Sequence, residues 1–168
     1  MPRIHEDILW CICIQLLSAL QGIHCYGLAC RVLDCKHVLV TERNRYRIGS
    51  IGVMDILEPR SNIKECQSKD LSQLGYLLLL LACRSKTVSL DMIHDYYSTN
   101  FVTIVQYLLQ GQYSASALLS ECMPHVVRSL NSAFTTADDY YAYLVFSFIS
   151  NEWFYSLKNI QMESISDC

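Results

Sequence analysis

The feature that most constrains this chain is an unbroken apolar run from Leu74 to Cys83, inside the segment DLSQLGYLLLLLAC at residues 70–83. The run is too short to cross a bilayer, which takes about 20 residues. Because it offers no polar side to solvent, we predict a fully buried helix over residues 70–83. Other elements of the fold must then surround that helix.

The composition is that of a folded domain with a large core. Hydrophobic residues make up 52% of the 168 residues and charged residues only 17%, which argues against disorder. The net charge of -3 gives no basic excess of the kind that indicates binding to nucleic acid or an anionic membrane. The N-terminus has acids where a signal peptide has a basic start, so we expect a cytoplasmic protein whose nine cysteines are reduced.

Periodicity and turn residues predict the remaining elements. Residues 6–24 have helical period, with acids at the front where the helix dipole favours them. Short apolar or aromatic pieces predict two strands joined by a turn, and the polar segment that follows predicts a loop. The predicted strands are His37–Val40 and Tyr46–Ile48, the loop is 58–69, and helices follow at 88–97, 98–110 and 114–131, with Ser98 and Ser114 as N-caps.

This order of elements resembles the C-lobe of a protein kinase. A kinase C-lobe has a long helix ending near His-Ser-x-Gly, a catalytic loop HRDLxxxN, two short strands and DFG. Here the string IHCYG at 23–27 is followed by LACRVLDCKHVLV, and DLSQLG at 70–75 resembles the D-x-W-S-x-G that opens the central kinase helix. The resemblance implies a mainly α, protein-kinase-like C-lobe with a short β-hairpin, and it implies that the N-lobe is absent from this chain.

The positions that carry kinase chemistry are changed. A kinase needs one carboxylate to accept the substrate hydroxyl proton, and an Asn and an Asp to hold magnesium. The resemblance places Val32, His37 and Ser50 there. Because valine accepts no proton and serine cannot replace an anionic metal ligand, we expect no catalytic residue, no metal site and no enzyme activity. The framework residues that the resemblance keeps are Arg31, Gly52 and Asp70.

Longer strings are similar to one family, the regulatory pseudokinase subunit of the cytoplasmic poly(A)-nuclease (PAN) complex. They are GLACRVLDCKHVLVT, RYRIGSIGVMDIL, KDLSQLG and residues 98–109, and the resemblance covers about residues 6–144. It implies a scaffold in poly(A)-tail shortening whose partners in the full-length family are the catalytic nuclease subunit and a second copy of itself. The full-length family binds ATP without turnover, but we expect no cofactor in this chain, which has no glycine-rich loop and no strand Lys.

The resemblance also suggests roles for single residues. The Asp70 carboxylate would tie down the backbone of the catalytic loop, or else cap a helix. In active kinases the arginine at the position of Arg31 pairs with an activation-loop phosphate. Because nothing in this sequence resembles that loop, we expect Arg31 to bind Asp34 or a backbone carbonyl instead. Lys36 and His37 stand where related scaffolds contact bound nucleotide, and the alternative is a simple turn beside a strand.

A zinc site is the other chemistry that the sequence suggests. Cys25, Cys30 and Cys35 lie near His24 and His37 in the chain. Zinc sites ordinarily use tight C-x₂₋₄-C pairs from two loops, and the spacing here is looser. Buried thiols are the simpler interpretation, and we expect no metal.

Two other functions stay open on the sequence. A divergent protein kinase or nucleotide-binding kinase-like protein would need an acid near Val32 or Ser50, and Asp34 and Asp55 are the nearest candidates. An unrelated pseudokinase scaffold would share the fold and have no link to poly(A).

The resemblance divides the chain into three parts. Residues 1–134 would form the pseudokinase C-lobe, and 135–144 would begin a coiled-coil-like segment. Residues 145–168 cluster aromatics without the heptad that a coiled coil needs, so we expect a divergent tail that is not native to the family. Lineage divergence and a gene model that reads through an intron are both open as its cause.

Overall fold

The computed structural model describes residues 3–42, 44–49, 51–57, 62–85 and 88–128. Residues 1–126 form one compact unit, which holds a two-stranded antiparallel sheet among helices. This arrangement confirms the expected mainly α fold with one hairpin. Its elements are α1 Glu6–Cys25, β1 Val38–Glu42, β2 Arg45–Ile48, α2 Val53–Leu57, α3 Ile63–Cys83, α4 Asp91–His94, α5 Thr99–Gln110 and α6 Ala115–Glu121.

Helix α3 is the centre of the unit and packs against α1 and α5. Its buried side chains include Leu74 and Leu78, which have no exposed surface, as expected for the apolar run. The predicted start at residue 70 is wrong, because the helix begins at Ile63. Asn62 caps it by accepting a hydrogen bond from the Glu65 backbone N–H at 3.5 Å. The predicted loop over 58–69 is therefore wrong for residues 63–69, whose largely polar side chains suit the exposed first turns of a helix.

Gly75 allows α3 and α5 to cross closely. A Cβ atom at this position would lie 2.9 Å from the Leu109 backbone nitrogen and 3.0 Å from the Leu108 Cβ. Both distances are shorter than ordinary van der Waals contact, so any side chain here would push the two helices apart.

Helix α1 is apolar and contributes to the core. Among the described residues it is the one helix long and apolar enough to cross a membrane by length and composition alone. Seven of its side chains are buried, including Leu9, Leu16 and Leu20, and it packs against α3, α6 and β2. Its apolar window is 39% buried, so the core accounts for part of its hydropathy.

Gln15 of α1 holds the β-hairpin in place. Its side-chain amide donates to the Asn44 carbonyl at 2.8 Å, and its oxygen accepts from the Tyr46 backbone N–H at 3.0 Å. The strands pair with Val38 opposite Ile48, and the turn is shorter than predicted because β1 continues to Glu42 and β2 begins at Arg45.

Local chemistry explains where the later helices begin and end. The Ser98 and Ser114 side chains accept hydrogen bonds from the Phe101 and Ala117 backbone N–H groups, so both predicted N-caps are confirmed. The predicted helix 88–97 is reduced to Asp91–His94. The predicted helix 114–131 is interrupted at 122, because Pro124 has no N–H to continue α6, and residues 123–128 form a new helical run.

The predicted parts 135–144 and 145–168 lie outside the described residues.

The short helix α2 was not predicted. Five residues are too few to show helical periodicity in a sequence.

Candidate functional site

The kinase-like loop after α1 is fixed to α3 by the buried carboxylate of Asp70. One oxygen accepts the Cys30 backbone N–H at 2.7 Å, and the other accepts the Arg31 backbone N–H at 2.6 Å. The Asp70 side chain has no exposed surface. It lies inside α3, whose N-cap is Asn62, so the helix-cap alternative for Asp70 is wrong. The carboxylate lies where the resemblance implies, against the backbone of the loop.

His24 completes the surroundings of this carboxylate. It lies in the last turn of α1, and its Nε2 is 2.9 Å from the Asp70 Oδ2. The His24 side chain is only 11% exposed. A buried carboxylate with three hydrogen-bonding neighbours has the partners that make its burial tolerable.

Two glutamines on α3 bind the same stretch of chain as Asp70. The Gln67 amide donates to the Leu28 carbonyl at 2.8 Å, and the Gln73 oxygen accepts from the Leu33 backbone N–H at 2.9 Å. Residues 67, 70 and 73 are three apart and therefore lie along one side of the helix. We call these three residues the loop clamp. Of the three, the sequence predicts only Asp70.

Arg31 and Gly52 shape the chain on the other side of the loop. The Arg31 guanidinium donates to the Met54 carbonyl at 2.8 Å, so it binds a backbone carbonyl, one of the two partners considered for it. Its own backbone is left-handed, with φ of 68°. Gly52 is also left-handed, with φ of 85°, just before α2, and glycine adopts that conformation without strain.

Asp34, the one acid in residues 30–37, forms its hydrogen bonds within the loop itself. Its Oδ1 accepts the Lys36 backbone N–H at 2.7 Å and lies 2.7 Å from the His37 Nδ1. The His37 ring and the Lys36 N–H lower the pKa of Asp34. A carboxylate with a lowered pKa that already accepts several hydrogen bonds is a poor proton acceptor.

Of the three positions that the resemblance places at kinase catalytic groups, the structure describes Val32 and His37. Val32 is half-buried, and its carbonyl accepts a weak hydrogen bond from the Cys30 thiol at 3.2 Å. His37 turns its ring to Asp34. Ser50 lies outside the described residues.

An open cavity of about 530 Å³ lies beside this loop, between it and α3. Leu33, Tyr76, Leu77 and Leu80 give it apolar surface, and two cations, Lys36 and Lys69, also line it. His37 is not among its lining residues. The nucleotide contacts of Lys36 and His37 stay a prediction.

The thiols and imidazoles of the proposed zinc site do not meet. Burial and the Asp70 carboxylate raise the pKa of the Cys30 thiol to about 11, whereas a zinc ligand must be a thiolate. Cys25 and Cys35 are exposed, and His24 and His37 each face a carboxylate. Across the part of the chain that the structure describes, no three His, Cys, Asp or Glu side chains converge as a metal site would require.

Comparison with known proteins shows which proteins have a sequence similar to this chain. The chain is 33% identical over 133 residues to the PAN2-PAN3 deadenylation complex subunit Pan3 of Mus musculus, which covers 67% of this chain. It is 35% identical over 115 residues to the corresponding subunit of Dictyostelium discoideum, which covers 62% of this chain. No protein-family model matches.

A solved structure extends the likeness to the fold. In the complex of Neurospora crassa PAN2 (WD40-CS1) with PAN3 (pseudokinase and C-term), one chain superposes with a TM-score of 0.75 and 26% identity, over 90% of this chain. This chain spans only 15% of the length of the mouse and Dictyostelium proteins and 41% of the solved chain. The matches confirm the resemblance drawn from the loop and from the start of α3. Over the residues it spans, the chain belongs to the family of PAN3 pseudokinase subunits.

Proposed function

We propose that this chain is a non-catalytic pseudokinase element of the regulatory subunit of a poly(A)-nuclease complex, and that it acts in the cytoplasm in the shortening of mRNA poly(A) tails. The family to which it belongs supports this, because the relatives carry the name of a deadenylation complex subunit. The observation that carries the proposal is the loop clamp. It holds a kinase-type loop in place, although that loop has no carboxylate at the position where a kinase has its catalytic base.

The absence of phosphoryl transfer follows from the groups in this loop. Residues 30–37 contain one acid, Asp34, and its carboxylate is bound by Lys36 and His37. Val32 stands at the position of the catalytic base and has no group that accepts a proton. A framework kept rigid without its chemistry suits a protein that serves as a binding platform.

Nucleotide binding by this loop is not part of the proposal. Lys36 is exposed at the edge of a largely apolar cavity, and the His37 ring faces Asp34. We therefore expect that Mg-ATP at micromolar concentration does not raise the melting temperature of the purified chain. A saturable rise at that concentration would show a nucleotide site and would contradict this expectation.

The proposed partners are the catalytic subunit of the nuclease and a second copy of the chain. The related Neurospora crassa chain was solved together with PAN2, which supports the first partner. Self-association rests on the coiled-coil-like segment predicted at 135–144, which lies outside the described residues.

The direct test of this function is the length of poly(A) tails in cells that normally express the chain. We expect loss of the chain to lengthen bulk tails and the wild-type chain to restore them. Asp70→Ala should restore them poorly, because it releases the kinase-like loop, and Glu65→Ala should restore them fully, because it removes only an exposed ion pair with Lys69. Unchanged tails in cells that lack the chain would contradict the proposal.

The proposal also predicts that purified chain transfers no phosphate. Radiolabelled ATP with generic protein substrates should give no signal above a mock preparation. Transfer that is lost in Asp34→Ala or Asp55→Ala would support the divergent-kinase alternative. Transfer that survives both substitutions would show that the catalytic register has been assigned wrongly.

A further inference from the structure

Helix α1 and the N-cap of α5 meet at the first residue of α1. The Glu6 carboxylate accepts the Ser98 backbone N–H at 2.8 Å and the Ser98 hydroxyl at 2.5 Å. One turn later on α1, the Trp10 indole N–H donates to Glu6 at 2.9 Å. Glu6 therefore fixes the N-cap of α5 and the orientation of the indole at the same time.

The indole of Trp10 is itself the contact surface for the helical turn after α6. Trp10 is only 3% exposed, and its ring stacks on the His125 imidazole, with centroids 3.7 Å apart and planes 11° apart. Phe101 of α5 meets the indole edge-on, with centroids 5.5 Å apart. His125 belongs to the run that restarts after the break before Pro124. This stack is therefore a principal side-chain link between that run and α1.

Protonation changes the strength of this stack. An imidazolium over the face of an indole gains a cation–π attraction that neutral imidazole lacks. The Glu6 carboxylate, already bound to the indole N–H, adds a charge of opposite sign that acts on His125. We propose that Glu6, Trp10 and His125 form a pH-sensitive clamp that holds the turn at residues 123–126 on α1 more tightly when His125 is charged.

Other titratable groups lie near this clamp in the described part of the chain, among them His5 and Asp7 on either side of Glu6. Cys13 on α1 and Cys122 after α6 are fully buried. A hydrogen bond that Cys13 donates to Cys122, together with burial, raises the pKa of Cys13, and the same bond lowers the pKa of Cys122. Glu121 at the end of α6 is exposed. At this point α5 presents Ser98 and Phe101, and neither titrates there.

The pH window follows from the two charged partners. Partial burial raises the pKa of Glu6, but the hydrogen bonds from Ser98 and Trp10 outweigh that effect, and the net change is a lowered pKa. Glu6 therefore stays charged throughout the pH range in which an imidazole titrates. An ordinary imidazole loses its proton at about pH 6.5. The clamp is strongest where both groups are charged and weakens as the pH rises through the imidazole range.

Trp10 itself reports the state of the clamp. The chain has two tryptophans, so Trp153→Phe in the full-length chain leaves Trp10 as the only indole. Imidazolium quenches indole emission more strongly than neutral imidazole does. We expect emission to rise between about pH 5.5 and about pH 8, with one transition in the imidazole range. A flat profile would overturn the proposal.

Two variants separate the clamp from general effects of pH. His125→Gln keeps a planar polar side chain and should abolish the transition, whereas His94→Gln, an exposed histidine on α4, should leave it unchanged. The same transition in His125→Gln would contradict the proposal. If His125→Gln does not fold, Glu6→Gln gives the second test: the midpoint of the transition must move to lower pH, and an unmoved midpoint contradicts the role of Glu6.

Discussion

The Asp70 carboxylate has a high energetic cost of burial that only its partners offset. An unpaired charge in the interior is strongly unfavourable, and Asp70 avoids this through the Cys30 and Arg31 N–H groups and His24. The same bonds determine the path of the loop. A single side chain thus joins the last turn of α1, the loop and the central helix.

We expect Asp70→Ala to lower the free energy of unfolding by about 1–3 kcal/mol, since buried N–H groups lose a charged partner. Chemical denaturation followed by circular dichroism measures the change. Glu65→Ala on the same helix is the matched control and should leave the free energy of unfolding almost unchanged, because its pair with Lys69 is exposed. Equal effects of the two substitutions would show that Asp70 does not anchor the loop.

Cys30 should be the least reactive thiol of the loop. Its pKa is raised to about 11 by burial and by Asp70, whereas Cys35 is exposed. At neutral pH we expect iodoacetamide to modify Cys35 well before Cys30, because only the thiolate reacts. Mass spectrometry of a time course measures this. Asp70→Ala should speed the modification of Cys30, and labelling of both thiols at the same rate in the native wild-type chain would contradict the described burial.

The sequence predicted the apolar elements better than the polar ones. Helix α1, the hairpin and the caps at Ser98 and Ser114 follow from periodicity and from side chains that bond within a few residues. The first turns of α3 were not predicted, because their side chains are polar. The break before Pro124 was not predicted either, although proline lacks the backbone N–H that continues a helix.

The residues of the candidate site also differ in how well the sequence predicts them. Asp70 could be predicted because the DLSQLG string marks it. Gln67, Gln73 and His24 could not, since their hydrogen bonds join residues 39 to 46 positions apart and local patterns carry no information about such pairs. The three-residue spacing of the loop clamp is the one signal that was available.

Helices α3 and α5 depend on Gly75 for their close crossing. We expect Gly75→Ala to lower the free energy of unfolding by about 1–3 kcal/mol, because the added methyl group meets the α5 backbone at Leu109. Gly22→Ala is the matched control. Its Cβ meets nothing within 4 Å, so the substitution should stabilise α1 by about 0.4–1 kcal/mol. A neutral Gly75→Ala in thermal denaturation would show that the helices do not cross as described.

At the scale of the whole molecule, the described part of the chain has the fold of a PAN3 pseudokinase lobe. The buried α3 and the loop clamp hold the kinase-like loop in place, and we propose that Val32 and His37 stand in that loop where an active kinase has two of its functional side chains. The chain spans a minority of the length of its relatives. Its biological role therefore depends on what this lobe binds.

The most direct test of that role is to purify the chain, tagged at its own gene, and to quantify co-purified proteins by mass spectrometry. We predict that the catalytic subunit of a poly(A)-specific nuclease is recovered with wild-type chain and with Glu65→Ala, and is reduced with Asp70→Ala. Recovery of folded wild-type chain without any such nuclease would contradict the account.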